Sequence, residues 1–193
     1  MADEGSDLQA LVECMDFAAI KHRDQRRKNP NKTPYINHPI GVARILAKEA
    51  GVSDLKILQA ALLHDTVEDT DTTFEEIEEH FGKDVRQIVA EVTDDKSLPK
   101  MERKRLQIEH APHISHEAKL VKLADKLYNL RDLKEIAPEG WTPERIQDYF
   151  LWAAKVIKGL RGVNKVMEEA LDEISLQKVY WQNHSRSDEI HCI

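Results

Sequence analysis

Residues 60–69 read AALLHDTVED, an apolar run that ends in a histidine and three carboxylates. Ala60, Ala61, Leu62 and Leu63 have the character of a buried helix, and burying ionisable groups without partners is costly. Either the helix turns outward at His64, or something cationic sits against it. On a helix, positions i, i+1, i+4 and i+5 share one patch, and His64, Asp65, Glu68 and Asp69 have that spacing. Three crowded carboxylates raise one another's pKa, and a divalent cation with imidazole and carboxylate ligands removes that cost. Taken alone, the pattern is also that of an exposed acidic helix end running into the loop Thr70–Thr73.

Three further segments bear on the choice. PYINHP, residues 34–39, places His38 at a helix start, with a proline suited to the first turn behind it. LVKLADKLYNLRD, residues 120–132, carries an apolar stripe of Leu120, Leu123, Ala124 and Leu127, with Asp125 at its margin and Asn129 one turn on. KHRDQRRKNPNK, residues 21–32, is basic against an acidic background and would hold phosphates near such a metal; KMERKR, residues 100–105, is a second basic run. Each has a plainer explanation by itself: a histidine bonded to backbone, a salt-bridged aspartate, a solvated charged face. A histidine, a later His-Asp doublet and a much later helical aspartate, in that order in a helical chain, are together far more specific.

The chain around these segments has 193 residues, enough for one domain with a real core, and is 41% hydrophobic and 33% charged, as soluble globular proteins are. A net charge of −7 argues against nucleic acid as a partner. Cys14 and Cys192 lie at opposite ends without metal-type spacing and read as reduced thiols. MADEGSD opens the sequence with no apolar segment behind it, and no run approaches the roughly 18 apolar residues of a membrane span. A cytoplasmic location without membrane contact is the expectation.

Helical periodicity dominates. Helices are expected at about 7–25, 38–50, 53–68, 73–81, 83–92, 101–110, 114–132, 142–161 and 163–178, with Ser53, Thr73 and Thr142 as start signals. The fold class is all-α, with at most one short β-hairpin near residues 88–97. Residues 1–178 form the domain, and 179–193 read as a polar tail. Trp141 and Trp152 read as core.

RRKNPNKTPYINHPIGVA, AALLHDTVEDT and KLADKLYNLRDL, in this order, resemble the HD-domain phosphohydrolases and more closely the hydrolase domain of the bacterial Rel/SpoT alarmone enzymes. The likeness is greatest to the stand-alone metazoan SpoT homologues and spans roughly residues 8–170. The resemblance implies a helical HD-domain bundle binding one Mn²⁺ through His38, His64, Asp65 and Asp125. It implies hydrolysis of the 3′-pyrophosphate of guanosine tetra- or pentaphosphate, with no synthetase domain on the same chain. Glu68 and Asp69 match the acidic pair that handles water and proton transfer. Arg27, Lys28 and Asn129 match positions that contact the nucleotide.

The residues suit those roles. Glu68 follows His64 by one turn, and general acid/base work falls to Glu68 and Asp69, with the division between them open. Arg27 offers a phosphate two prongs and Lys28 a point charge. Tyr35 is a further substrate contact or a packed aromatic. Lys100, with Arg103 and Lys104, is a second phosphate contact or solvated surface. Two alternatives stand beside the main reading: removal of the 2′-phosphate of NADPH, to which animal relatives are linked, and a catalytically silent nucleotide-binding HD domain. Oligomeric state is open.

Overall fold

The computed structural model describes residues 4–185, which form ten helices and no sheet. At the centre is α3, Leu55–Leu63, whose Ile57 and Ala60–Leu63 are all buried. Around it pack α1 (Glu4–Lys21), α2 (Asn37–Arg44), α6 (Lys83–Val92) and α8 (His116–Glu135). Short helices α4 (Thr66–Asp69) and α5 (Phe74–Phe81) link α3 to α6. On the far side of α8 lie α7 (Lys100–His110), α9 (Pro143–Leu160) and α10 (Lys165–Ser185). No helix among the described residues is long and apolar enough to cross a membrane.

Two of the expected start signals act as read. Thr73 accepts a hydrogen bond from the Glu76 amide at 3.2 Å, and Thr142 accepts one from Arg145 at 3.3 Å, with Pro143 in the first turn. Ser53 does not cap α3; Asp54 does, accepting from the Lys56 amide at 2.9 Å. The expected helix over 38–50 finishes in a π-turn, Ile45–Glu49, closed by the Ala50 amide on the Ile45 carbonyl at 3.0 Å.

The hairpin near 88–97 does not form. Val85, Ile88, Val89 and Val92 are buried along one face of α6, so helical spacing prevails over β-branched composition. The only bridge of strand type among the described residues joins Arg26 and Pro34, which closes the basic loop between α1 and α2. The expected single helix 53–68 is broken. It stops at Leu63, turns through His64 and Asp65, and restarts as the one turn of α4. Thr66 Oγ1 donates to the Leu63 carbonyl at 2.7 Å and so closes the end of α3. Beyond 178, α10 continues to Ser185, and the rest of the expected tail, 186–193, lies outside the described residues. Cys14 is buried, and burial pushes its thiol up to about 12, so it is unreactive; Cys192 also lies outside the described residues.

Candidate active site

The break after α3 is what makes the site. His64 and Asp65 sit in the turn, His38 in the first turn of α2 and Asp125 midway along α8, and their donor atoms converge. His38 Nε2 lies 3.3 Å from His64 Nε2, 3.5 Å from Asp65 Oδ2 and 3.2 Å from Asp125 Oδ1. His64 Nε2 lies 3.1 Å from Asp65 Oδ2 and 3.8 Å from Asp125 Oδ1. His64 Nδ1 is 2.7 Å from the Ala61 carbonyl, an acceptor, so the neutral ring presents a bare Nε2 lone pair to the cluster. Two imidazole nitrogens and two carboxylate oxygens facing one another are a donor set for a divalent first-row ion, and these residues fit one. The donors of His38, His64 and Asp65 all fall within 4.8 Å of one another.

A second layer orients these side chains. Tyr35 Oη donates to Asp65 Oδ2 at 2.6 Å. Asp125 accepts from Asn129 Nδ2 at 2.6 Å and from Lys126 Nζ at 3.0 Å. Tyr128 stands edge-on to the His38 ring, centroids 4.8 Å apart. Burial opposes charge throughout the cluster. It holds His38 below its ordinary pKa, whereas at His64 the Asp65 and Asp125 carboxylates outweigh burial and raise it. Against the same burial, His64 holds Asp65 below the usual carboxylate range, and Lys126 and His38 hold Asp125 there.

Two cavities meet at this cluster. The inner one, about 170 Å³, is lined by the four donors together with Glu68, Asp94, Lys122 and Lys126. The outer one, about 370 Å³, is lined by Arg26, Arg27, Lys28, Asp69, Trp141 and Tyr149, among others. Tyr35 and Asn129 belong to both walls. The basic loop is held in shape by the Arg27 amide on the Thr33 carbonyl at 2.9 Å and the Tyr35 amide on the Gln25 carbonyl at 3.0 Å. Arg27 reaches across to Asp132 at 2.5 Å and Asn129 at 3.3 Å, with the rings of Tyr35 and Tyr128 beside it.

The acidic pair separates. Glu68 and Asp69 are consecutive on the one turn of α4, yet they line different cavities. Glu68 faces the inner cavity, where its carboxylate accepts from the Asp94 amide and from Arg103, both at 3.3 Å. Burial, and then the Asp94 charge, raise its pKa. Asp69 faces the outer cavity, accepting from Gln25 at 2.9 Å and Lys96 at 2.5 Å.

Lys100 is not brought to either cavity; it is exposed at the start of α7, and Arg103, one turn later, is the residue of that run that reaches the site. Lys104 lies over the Trp152 ring at 4.7 Å. Trp152 packs against the core as expected, but Trp141 is half-buried in the outer cavity wall, with Arg145 4.4 Å over its ring. Lys126 and Tyr128 are not among the residues that the sequence singles out, whereas Arg103 is expected, with Lys100 and Lys104, as a phosphate contact or solvated surface. Lys126 and Tyr128 lie beside Asp125 on α8, and that adjacency is the usable signal for both.

A helical bundle that gathers His, His-Asp and Asp from three separate stretches around one buried point is the arrangement of metal-dependent HD-domain proteins. The HD domain matches residues 14–150, and the chain belongs to that family. It is 68% identical to the guanosine-3′,5′-bis(diphosphate) 3′-pyrophosphohydrolase MESH1 of Xenopus tropicalis, over 90% of this chain and 97% of that one. To the Homo sapiens protein of the same name it is 67% identical, again over 90% and 97%. A solved structure described as a metazoan ortholog of SpoT that hydrolyzes ppGpp and plays a role in starvation responses superposes with a TM-score of 0.86. That likeness is 58% identical and covers 88% of this chain and 95% of the other.

Proposed function

We propose that this protein is a metal-dependent hydrolase that converts guanosine tetraphosphate and water to GDP and pyrophosphate, and pentaphosphate to GTP and pyrophosphate. The observation that carries the reading is the pairing of a His₂Asp₂ cluster in the inner cavity with a basic outer cavity, joined at Tyr35 and Asn129. The names of the MESH1 relatives support the substrate, at identities of 67–68% over nine-tenths of the chain.

His38, His64, Asp65 and Asp125 would hold the ion, and the mixed nitrogen and oxygen donors suit Mn²⁺. Such an ion, when bound, polarises a phosphoryl oxygen and makes coordinated water acidic. Arg27 and Lys28 would meet the nucleotide phosphates from the basic loop. Glu68, in the inner cavity, would take the proton from the attacking water. The water oxygen bonds to the phosphorus next to the ribose, the P–O3′ bond breaks, and the 3′-oxygen leaves with the proton that Glu68 took from the water. Asp69 would hold Gln25 and Lys96 at the mouth of the outer cavity. The protein would act as a cytoplasmic enzyme on a small-molecule nucleotide.

The test is product identification from Mn²⁺-loaded protein given guanosine tetraphosphate or NADPH. GDP and pyrophosphate from the first, with kcat/KM well above that for phosphate release from the second, is the expected result. Turnover of neither would sink the reading.

A further inference from the structure

Lys122 stands in the wall of the inner cavity, and nothing assigned so far uses it. It lies on α8 one turn before Asp125 and is only 8% exposed. Its ammonium donates one hydrogen bond, 3.4 Å long, to the Val92 carbonyl at the end of α6. Among the described residues no carboxylate lies within ion-pair distance of it. Lys126, one turn on, is committed by contrast: its Nζ is 3.0 Å from Asp125 and 4.8 Å from the centre of the Trp152 ring. A buried ammonium with one long contact carries a desolvation cost that its partner does not offset. Burial accordingly lowers the Lys122 pKa.

Charge accounting gives it a use. The inner cavity is lined by the carboxylates of Asp65, Glu68, Asp94 and Asp125 and by the ammonium groups of Lys122 and Lys126. A divalent ion offsets the excess of carboxylates in that wall, and a pyrophosphate group then meets less repulsion. Without Lys122 the wall loses a positive charge, and Lys126, already held by Asp125, is the one ammonium left in that lining for phosphoryl oxygens turned away from Arg27 and Lys28. The basic loop lines the outer cavity and not this one.

We propose that Lys122 is a substrate-binding residue whose Nζ donates to a non-bridging oxygen of the scissile pyrophosphate, on the inner side of the cavity. This rests on the hydrolase reading above. The lysine leaves the Val92 carbonyl or shares its protons between both acceptors, which three N–H donors allow. A purely structural lysine would instead cap α6 and have no effect on phosphate binding.

Lys122→Met separates the two roles. With bound metal per chain unchanged, calorimetry is expected to show inorganic pyrophosphate binding at least about tenfold more weakly than to the wild type. The kcat/KM for guanosine tetraphosphate should fall at least as far. Wild-type pyrophosphate affinity in a folded, metal-loaded Lys122→Met protein overturns the proposal and leaves helix capping as the role. If that variant does not fold, the wild type decides through the side-chain ¹⁵N–¹H signal of Lys122 in zinc-loaded protein. A shift of that signal on adding pyrophosphate supports the contact, and an unmoved signal overturns it. Wild-type turnover, measured alongside, tests the hydrolase reading separately, since an active wild type with an unaffected variant keeps that reading and loses this one.

Discussion

Glu68 and Asp69 are adjacent carboxylates with different surroundings, and the difference allots their work. Glu68 is turned into a cavity that burial and the Asp94 charge make unfavourable for an anion, which raises its pKa above the usual carboxylate value and makes it the better base of the two. Glu68→Gln is expected to keep bound metal and to lower kcat by about 10²- to 10⁴-fold. Metal analysis and steady-state kinetics on one preparation check both halves. The raised pKa also has a thermodynamic sign. A carboxyl whose folded pKa exceeds its unfolded value favours folding below the unfolded value, and that contribution is lost as pH rises through the folded one. In metal-free protein at pH 7, Glu68→Gln should therefore melt no lower than wild type, and its advantage should vanish below about pH 4. A melting series against pH reads this directly. A variant clearly less stable at pH 7 would mean that the Arg103 and Asp94 contacts outweigh the burial of the charge.

At the scale of elements, the decisive contact is α2 against α8. A Cβ on Gly41 would come within 2.1 Å of Tyr128 Cε2, and Tyr128 is the ring on which His38 leans. Gly41→Ala must push that ring aside. A loss of about 1–3 kcal/mol is expected, together with weaker metal binding, and thermal melting and a metal titration measure the two. Unchanged metal affinity would mean that His38 does not depend on Tyr128 for its position. No local pattern reveals this glycine, because its neighbour lies far along the chain. Helix starts at Thr73 and Thr142 were legible, since a cap is written within four residues. The break between α3 and α4 was not: helical spacing runs unbroken through AALLHDTVED, and one side-chain bond from Thr66 decides where α3 ends. The expectation for the four cluster residues came from order along the chain rather than from that helix, and their convergence does not need it. On α7 the sequence marks the basic run as a candidate phosphate contact, but which of its residues turns inward depends on how the helix sits against α9. That is why Arg103, and not Lys100, meets Glu68.

For the whole molecule, a net charge of −7 and a phosphate-binding reading conflict only until the charges are placed. Arg26, Arg27 and Lys28 gather at the outer cavity, while the carboxylates of Asp65, Glu68, Asp94 and Asp125 gather at the inner one. That inner crowd is the liability that a metal would relieve. Its four ligand candidates come from α2, the turn after α3, and α8, so an ion bound there would tie together segments that are far apart in the chain. Binding to the folded state alone stabilises by RT ln(1 + [L]/Kd), about 2.7 kcal/mol when the ion is at 100 times its Kd. Chelation should therefore lower the melting temperature, and Mn²⁺ titrated back should raise it with a dependence on concentration that yields Kd. Asp125→Asn leaves Lys126 without its carboxylate and costs stability by itself, so its absolute melting point is uninformative. The informative quantity is the metal-induced shift, which should shrink sharply in this variant at the same Mn²⁺ concentration. A full shift in Asp125→Asn would remove Asp125 from the ligand set, and no shift in the wild type would remove the metal site altogether.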